Sequence, residues 1–141
     1  MMNLLNSKSI KQIIYTSHIS DGTDDGDIFE MIKKAQKYNI HREISGFLVS
    51  DSKMLVQLIE GNKSDVDELF DKIKIDPRHY DVKIQFEDMT DSRIMPFLGM
   101  GLCLINSYSN YQQDFYFNRS QAKEFSSLFE GSAGDFFRQF L

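Results

Sequence analysis

The stretch from Ile44 to Gly61 constrains this chain more than any other. Ile44–Ser50 and Met54–Glu60 are two short apolar runs separated by the polar Asp51-Ser52-Lys53, the pattern of a β-hairpin. The second run carries one carboxamide, Gln57, between Val56 and Leu58. An amide buried without a hydrogen-bond partner costs on the order of 2–7 kcal/mol. Gln57 therefore either faces solvent or is met by another polar group, and in the second case that group is a pointer to function.

The flanking segments supply the rest of a sheet. Lys11–Thr16 is a short β-rich run, and Ser17–Gly26, dense in Asp and Gly, reads as a loop. A helix is predicted from about Asp27 to Tyr38, because Ile28, Met31, Ile32 and Ala35 share one face. Asn39 falls at or just past its C-terminal end. Gly61-Asn62 is expected to break the second hairpin strand. Ser64 is the expected cap of a second helix, with Asp67 as an imperfect capping-box partner. Val66, Leu69, Phe70 and Ile73 form its apolar stripe, and Asp76-Pro77 stops it. Val82–Thr90 alternates Val82, Ile84 and Phe86 against Lys83, Gln85 and Glu87, as a half-buried strand does. Gly99–Ile105 is a last apolar strand. The order β-α-β-β-α-β-β begins as a split βαβ, ferredoxin-like unit. The predicted class is α+β, with two helices on one face of the sheet.

Residues 1–10 are expected to be a loose lead-in, 1–105 one domain, and 106–141 a C-terminal helical extension. Ser120 is the expected cap of a helix bearing Phe125, Leu128 and Phe129. Gly131–Gly134 is expected to break it ahead of Phe136, Phe137, Phe140 and Leu141. The apolar faces of such helices need cover, from their own sheet or from another subunit.

Bulk properties narrow the function. A length of 141 residues suits one core, and 16 basic against 21 acidic residues give a charge of −5. With no basic stripe, direct nucleic-acid binding is disfavoured. No apolar run approaches the ~20 residues of a membrane span, and the N-terminus lacks a signal-peptide core. The single Cys103 makes no internal disulfide, which suits a reducing cytoplasm.

Strand alternation puts Tyr15 on the face of Ile13, opposite Ile14. In a split βαβ sheet the strands of Tyr15 and Gln57 are central neighbours, so a phenol and an amide can meet beneath the two helices. Asn39 lies toward the same end, and Arg78-His79 can reach the mouth between the helices. An apolar floor, a few convergent polar groups and a basic rim suit a flat, partly polar ligand with a charged tail. Each residue also has an ordinary explanation: a core tyrosine, a solvent-facing glutamine, a helix C-cap, a surface Arg-His pair. His18, His41 and His79 lack metal-ligand spacing. No phosphate loop or nucleophile elbow is present.

These residues carry a resemblance to the BLUF family, blue-light sensors that bind FAD. It runs from about Lys11 to Ile105. The carriers are Ile13-Ile14-Tyr15-Thr16-Ser17, Asn39 ahead of Ile44-Ser45-Gly46, Leu55-Val56-Gln57-Leu58-Ile59-Glu60-Gly61, Asp76-Pro77-Arg78-His79, and Arg93 leading to Met100. The resemblance implies that Tyr15 bonds Gln57 and that Gln57 faces N5 and the C4 carbonyl of the flavin. Asn39 would hold the ring's polar edge, while Arg78 and His79 would lie toward the C2 carbonyl and ribityl-phosphate side. Met31 and Ile73 would sandwich the ring, and Met100 would sense Gln57. The implied cofactor is FAD, with FMN the alternative. The implied mechanism is an electron and proton relay through Tyr15 and Gln57, leaving a rearranged amide, a stronger hydrogen bond to C4=O and a small red shift. Leu98 stands where the family often has Trp, which puts a Trp–Met exchange in doubt.

The implied role is photoreception without enzymatic activity. No output domain is expected after Ile105, so a separate signalling protein or a homo-oligomer would receive the signal. Two other classes compete. An RNA-reading or ligand-binding regulatory module on this fold would want exposed central aromatics and positive charge. A small acyl-phosphate hydrolase would want an anion-cradling loop, for which Ser17–Gly26 is too acidic. A flavin-free relative would have less use for Tyr15, Asn39 and Gln57.

Overall fold

The computed structural model of the protein describes residues 9–107, 109, 111–129 and 131–141. The elements are β1 (Ile10–Ile19), α1 (Asp25–His41), β2 (Ser45–Ser50), β3 (Met54–Asn62), α2 (Lys63–Lys74), β4 (His79–Thr90), β5 (Gly99–Leu104), α3 (Arg119–Ser126) and α4 (Gly131–Phe140). The strands form one sheet in the order β4-β1-β3-β2-β5. The first four are the antiparallel ferredoxin-like set, and β5 adds parallel to β2. Residues 1–8 lie outside the described residues. The lead-in expected there ends sooner than Ile10, which already belongs to β1.

Period-two alternation sorts the core onto two faces. Ile13, Tyr15, Leu48 and Ile59 pack with Ile28, Phe29 and Ile32 of α1 and Val66 and Phe70 of α2. Ile14, Phe47, Val56 and Leu58 face the other way and pack with Ala122, Phe129 and Phe137. Helices thus cover both faces. That is why β2 and β5 are buried at every residue and read as unbroken apolar runs.

Several boundaries differ from the sequence expectation, each for a local reason. β1 continues through Ser17-His18-Ile19, because Ser17 pairs with Leu55 and His18 with Met54 across the sheet. α1 starts earlier: Asp24 accepts from the Asp27 N–H while the Asp27 side chain accepts from the Asp24 N–H, a reciprocal capping box. It also runs later, so Asn39 lies within its last turn and Arg42 is the C-cap. β3 does not break at Gly61-Asn62, since Lys11 pairs with Gly61 and Ile10 with Asn62. Asn62 then caps α2 by accepting from the Ser64 N–H at 3.0 Å, so Ser64 is not the cap.

The alternation predicted for β4 fails in its middle. Phe86 pairs with Ile14 but Ile84 pairs with Tyr15, so a bulge at Gln85 swaps faces. Val82 then packs with the α1/α2 side and Phe86 with the opposite side. In the C-terminal region Asn118 caps α3 in place of Ser120, with Gln121 completing a capping box. α3 ends at Ser126, leaving Leu128 exposed beyond it. Gly131 and Gly134 do not break a helix but belong to α4.

Candidate functional site

A cavity opens between α1 and α2 over the central strands, with about 860 Å³ of space, part of it continuous with solvent. Its floor is Tyr15 and Gln57 with Leu48 and Leu55. Met31, Ile32 and Ala35 form one wall and Leu69 and Ile73 the other. Asn39 closes one end, and Asp76, Arg78 and His79 stand at the opening. The lining, apolar with a few convergent polar groups, suits a flat ligand.

The polar floor follows from sheet register. Tyr15 lies directly opposite Gln57 in the β1/β3 pair, so both side chains leave the sheet on one face. Tyr15 Oη donates to Gln57 Oε1, and Gln57 Nε2 donates to Met100 Sδ at 3.2 Å. All three residues are buried. Gln57 is therefore satisfied at both ends of its amide, and the solvent-facing alternative does not hold. Burial, with the charge of Asp76 second, raises the Tyr15 pKa far above its ordinary value, so the phenol is neutral throughout the physiological range.

Met100 is seated by a glycine. A Cβ on Gly46 would lie 2.9 Å from Met100 Sδ and Cε and 2.0 Å from the Leu58 carbonyl oxygen. The Ser-Gly of β2 thus leaves the room that the thioether fills.

Asn39 is 2% exposed, and its Oδ1 has no hydrogen-bond partner. An orphaned acceptor at the end of an apolar slot costs about 1–3 kcal/mol. It is the arrangement expected where a ligand donor belongs.

Lys72 and Arg78 line the mouth together with one carboxylate, Asp76. Arg78 Nε donates to Asp76 Oδ1 at 2.9 Å and to Oδ2 at 3.2 Å. The Arg78 hydrogen bond holds the Asp76 carboxyl below its usual range. His79 Nε2 lies 2.6 Å from the Ile73 carbonyl, which only accepts, so Nε2 carries the proton. Nδ1 of a neutral ring then accepts from Ser17 Oγ at 2.7 Å. Both His79 nitrogens are spent within the protein, and its ring edge packs on Tyr15 with centroids 6.0 Å apart.

Other residues have positioning roles that were not read from the sequence. Glu60, on β3 and fully buried, accepts from Gln12 Nε2 at 3.0 Å, Ser45 Oγ at 3.0 Å, the Ile94 N–H at 2.8 Å and the Met95 N–H at 2.8 Å. It fastens the β4–β5 connection to three strands. Arg93 assists by donating to Ser45 Oγ at 2.7 Å. Glu60 and Asp76 stand inside the motifs quoted above, which carried the signal. Gln36 continues the apolar row of α1, four residues beyond Ile32, which is the pattern that would have marked it as inward-facing.

A slot with an internally bonded tyrosine–glutamine–methionine chain on its floor and an unpaired acceptor at its end defines a ligand-holding sensory domain. Residues 10–101 match the BLUF description, sensors of blue-light using FAD. The chain belongs to that family, and its cofactor is accordingly FAD. It is 28% identical over 130 residues to the blue light- and temperature-regulated antirepressor BluF of Escherichia coli K12, covering 92% of this chain and 32% of that protein. The chain thus spans about a third of that relative's length. The structure of a bacterial light-regulated adenylyl cyclase is 29% identical, with a TM-score of 0.65, over 72% of this chain and 30% of that one. The dark-state structure of the BLUF protein BlrB shares the fold over 94% of this chain and 85% of its own, at 22% identity and a TM-score of 0.66. Among the described residues no helix is long and apolar enough to cross a membrane.

Proposed function

We propose that this chain senses blue light through FAD held between α1 and α2, with Tyr15 and Gln57 as its photochemical pair. The observation that carries the reading is the hydrogen-bonded series Tyr15–Gln57–Met100 lying buried under an open slot. The residues fit a flavin: Met31 and Ile73 present apolar surface from opposite walls, and the unpaired Asn39 Oδ1 suits the ring's N–H edge. Arg78 and Asp76 stand where the polar tail would leave. When bound, the flavin supplies an absorber of blue light whose excited ring accepts an electron.

Tyr15 is the donor in this scheme. Its desolvated phenol does not lose a proton alone, but loss of an electron makes the phenol strongly acidic. The proton then moves to Gln57 Oε1 along the existing hydrogen bond. The protonated amide would pass an Nε2 proton toward the bound flavin that took the electron, and return of the electron and a proton to Tyr15 would leave Gln57 as its imidic tautomer or turned about its Cγ–Cδ bond. Donor and acceptor ends are thereby exchanged. Met100 Sδ accepts weakly and has no proton to give, so an amide oxygen turned toward it loses that contact. Buried mispairing is costly, so the change spreads to Met100 and β5. The role is sensory and not enzymatic. Residues 1–105 form the flavin-binding unit, and 106–141 pass the signal to a partner protein or a second copy in the cytoplasm.

The test is optical. The protein with FAD should be yellow and show a reversible red shift under blue light. Tyr15→Phe should retain FAD and lose the shift entirely. A full red shift in that variant overturns the relay.

A further inference from the structure

Met100 is held by a second glutamine, from outside the cavity. Gln36 of α1 donates from Nε2 to the Met100 carbonyl oxygen at 2.6 Å, and its Oε1 accepts from the Met100 N–H at 3.0 Å. The side-chain amide thus pairs with the outer edge of β5 as a neighbouring strand residue would. The next pair of edge groups on β5 is taken by the chain itself. The Leu102 N–H donates to Phe115 O at 3.0 Å, and Leu102 O accepts from the Phe117 N–H at 2.8 Å. Gln36 therefore completes the closure of an edge strand.

The backbone is shaped around this contact. Gly99 has φ +92°, and a Cβ there would lie 2.5 Å from Gln36 Oε1 and 3.3 Å from Ile40 Cγ1. Any other residue would be strained and would push the amide away. Gly46 makes room for the thioether on the other side. Met100 is accordingly gripped at its sulfur by Gln57 and at its peptide groups by Gln36, 64 residues away in sequence.

We propose that Gln36 is a positioning residue that ties Met100 to α1, so that a rearrangement at Gln57 is delivered to α1 and the surface beside it as well as along β5. The proposal rests on the photoreceptor reading. Gln36 does not line the flavin cavity; it borders a separate surface groove with Ile40, Phe97 and Leu98. Those three side chains are 49%, 40% and 39% exposed. A displacement of Met100 would therefore alter an apolar patch that a partner can reach. Leu98, where a Trp is frequent in the family, is part of this patch.

The experiment is amide hydrogen exchange on the full FAD-loaded chain, in the dark and under blue light. It compares the unaltered protein with Gln36→Met, which fills the space without hydrogen bonds, and Gln36→Glu, which at neutral pH can accept from the Met100 N–H but cannot donate to its carbonyl. In the dark, exchange at Met100 should accelerate about tenfold in Gln36→Met, the loss of a hydrogen-bonded edge pair, and less in Gln36→Glu. Under light, exchange in residues 33–41 should change in the unaltered protein and not in Gln36→Met, while both give the same red shift. An α1 response of equal size in both overturns the coupling, and unchanged dark exchange at Met100 overturns the clamp. Failure of the unaltered protein to shift overturns the photoreceptor reading and the coupling together. The dark exchange rate then still decides the clamp.

Discussion

The two faces of the sheet solve opposite problems with the same strands. On β3, Val56 and Leu58 enter an aromatic layer, while Gln57, between them in sequence, floors the cavity. The aromatic side is filled. Phe47 meets Phe117 at 5.4 Å, Phe125 at 5.5 Å and Phe137 at 5.7 Å between centroids, under the cover of α3 and α4. Edge-to-face contacts dominate, the geometry that ring quadrupoles favour. The cavity side has instead a gap between α1 and α2, an acceptor with no partner, and a tyrosine–glutamine pair bonded only to each other and to a thioether. One face stores stability and the other spends part of it on a ligand site.

That contrast is open to measurement. The largest effect is expected from Phe47→Ala, which removes the hub of the aromatic layer. It should cost about 3–5 kcal/mol of unfolding free energy, read as a urea midpoint, while FAD affinity of the folded fraction stays near that of the parent. A loss under 1 kcal/mol would mean that the aromatic layer is not what holds the sheet.

A change of the opposite kind belongs to the cavity side. Asn39→Leu should raise flavin-free stability by about 1 kcal/mol, because an unpaired buried acceptor disappears. It should also weaken FAD by roughly tenfold or more, the equivalent of about 1.4 kcal/mol. Titration with FAD and urea unfolding of the flavin-free protein check both signs. Unchanged affinity would remove Asn39 from the binding site.

The smallest effect distinguishes the faces by pH. Each buries a weak acid: Tyr15 on the cavity side, and Cys103 on the aromatic side. Desolvation pushes the Cys103 thiol up to about 12, with Arg119 pulling slightly the other way. A folded pKa raised above the unfolded value means the native state holds the proton more tightly. The stability this contributes is complete below the unfolded pKa and is lost as pH rises toward the folded one. Loss should begin near pH 9.0 from Cys103 and near pH 10.0 from Tyr15, their ordinary values. Cys103→Ala should abolish a decline of about 1 kcal/mol by pH 10, followed as the urea midpoint from pH 8 to 10. An identical decline in that variant would place the alkaline sensitivity elsewhere.

Much of the cavity side is readable from short-range pattern. Alternation along Lys11–Thr16 and Met54–Glu60 assigns Tyr15 and Gln57 to one face, and the split βαβ order makes their strands neighbours. The helical stripes of Ile28, Ile32, Val66 and Phe70 point to the same side. The family motifs supplied the rest of that list. The aromatic side was less legible. Ser120 looked like a cap and Gly131–Gly134 like a break, because cap and breaker residues are common wherever a chain is polar. The choice of Asn118 went to the residue whose Gln121 partner completed a capping box.

Local sequence alone determined the existence of the strands and of the two cavity helices and, outside the bulge of β4, which side chains share a face, since those depend on periods of 2.0 and 3.6 residues. The tertiary structure decided who meets the buried polar groups. Glu60 is satisfied by Ile94 and Met95, Gln36 by Met100 and His79 by Ser17, pairs separated by 34, 35, 64 and 62 residues. No repeat along the chain encodes such pairs. They form because leaving a buried donor or acceptor unmatched is costly, and only the closed sheet, with helices on both sides, brings the matching groups within reach.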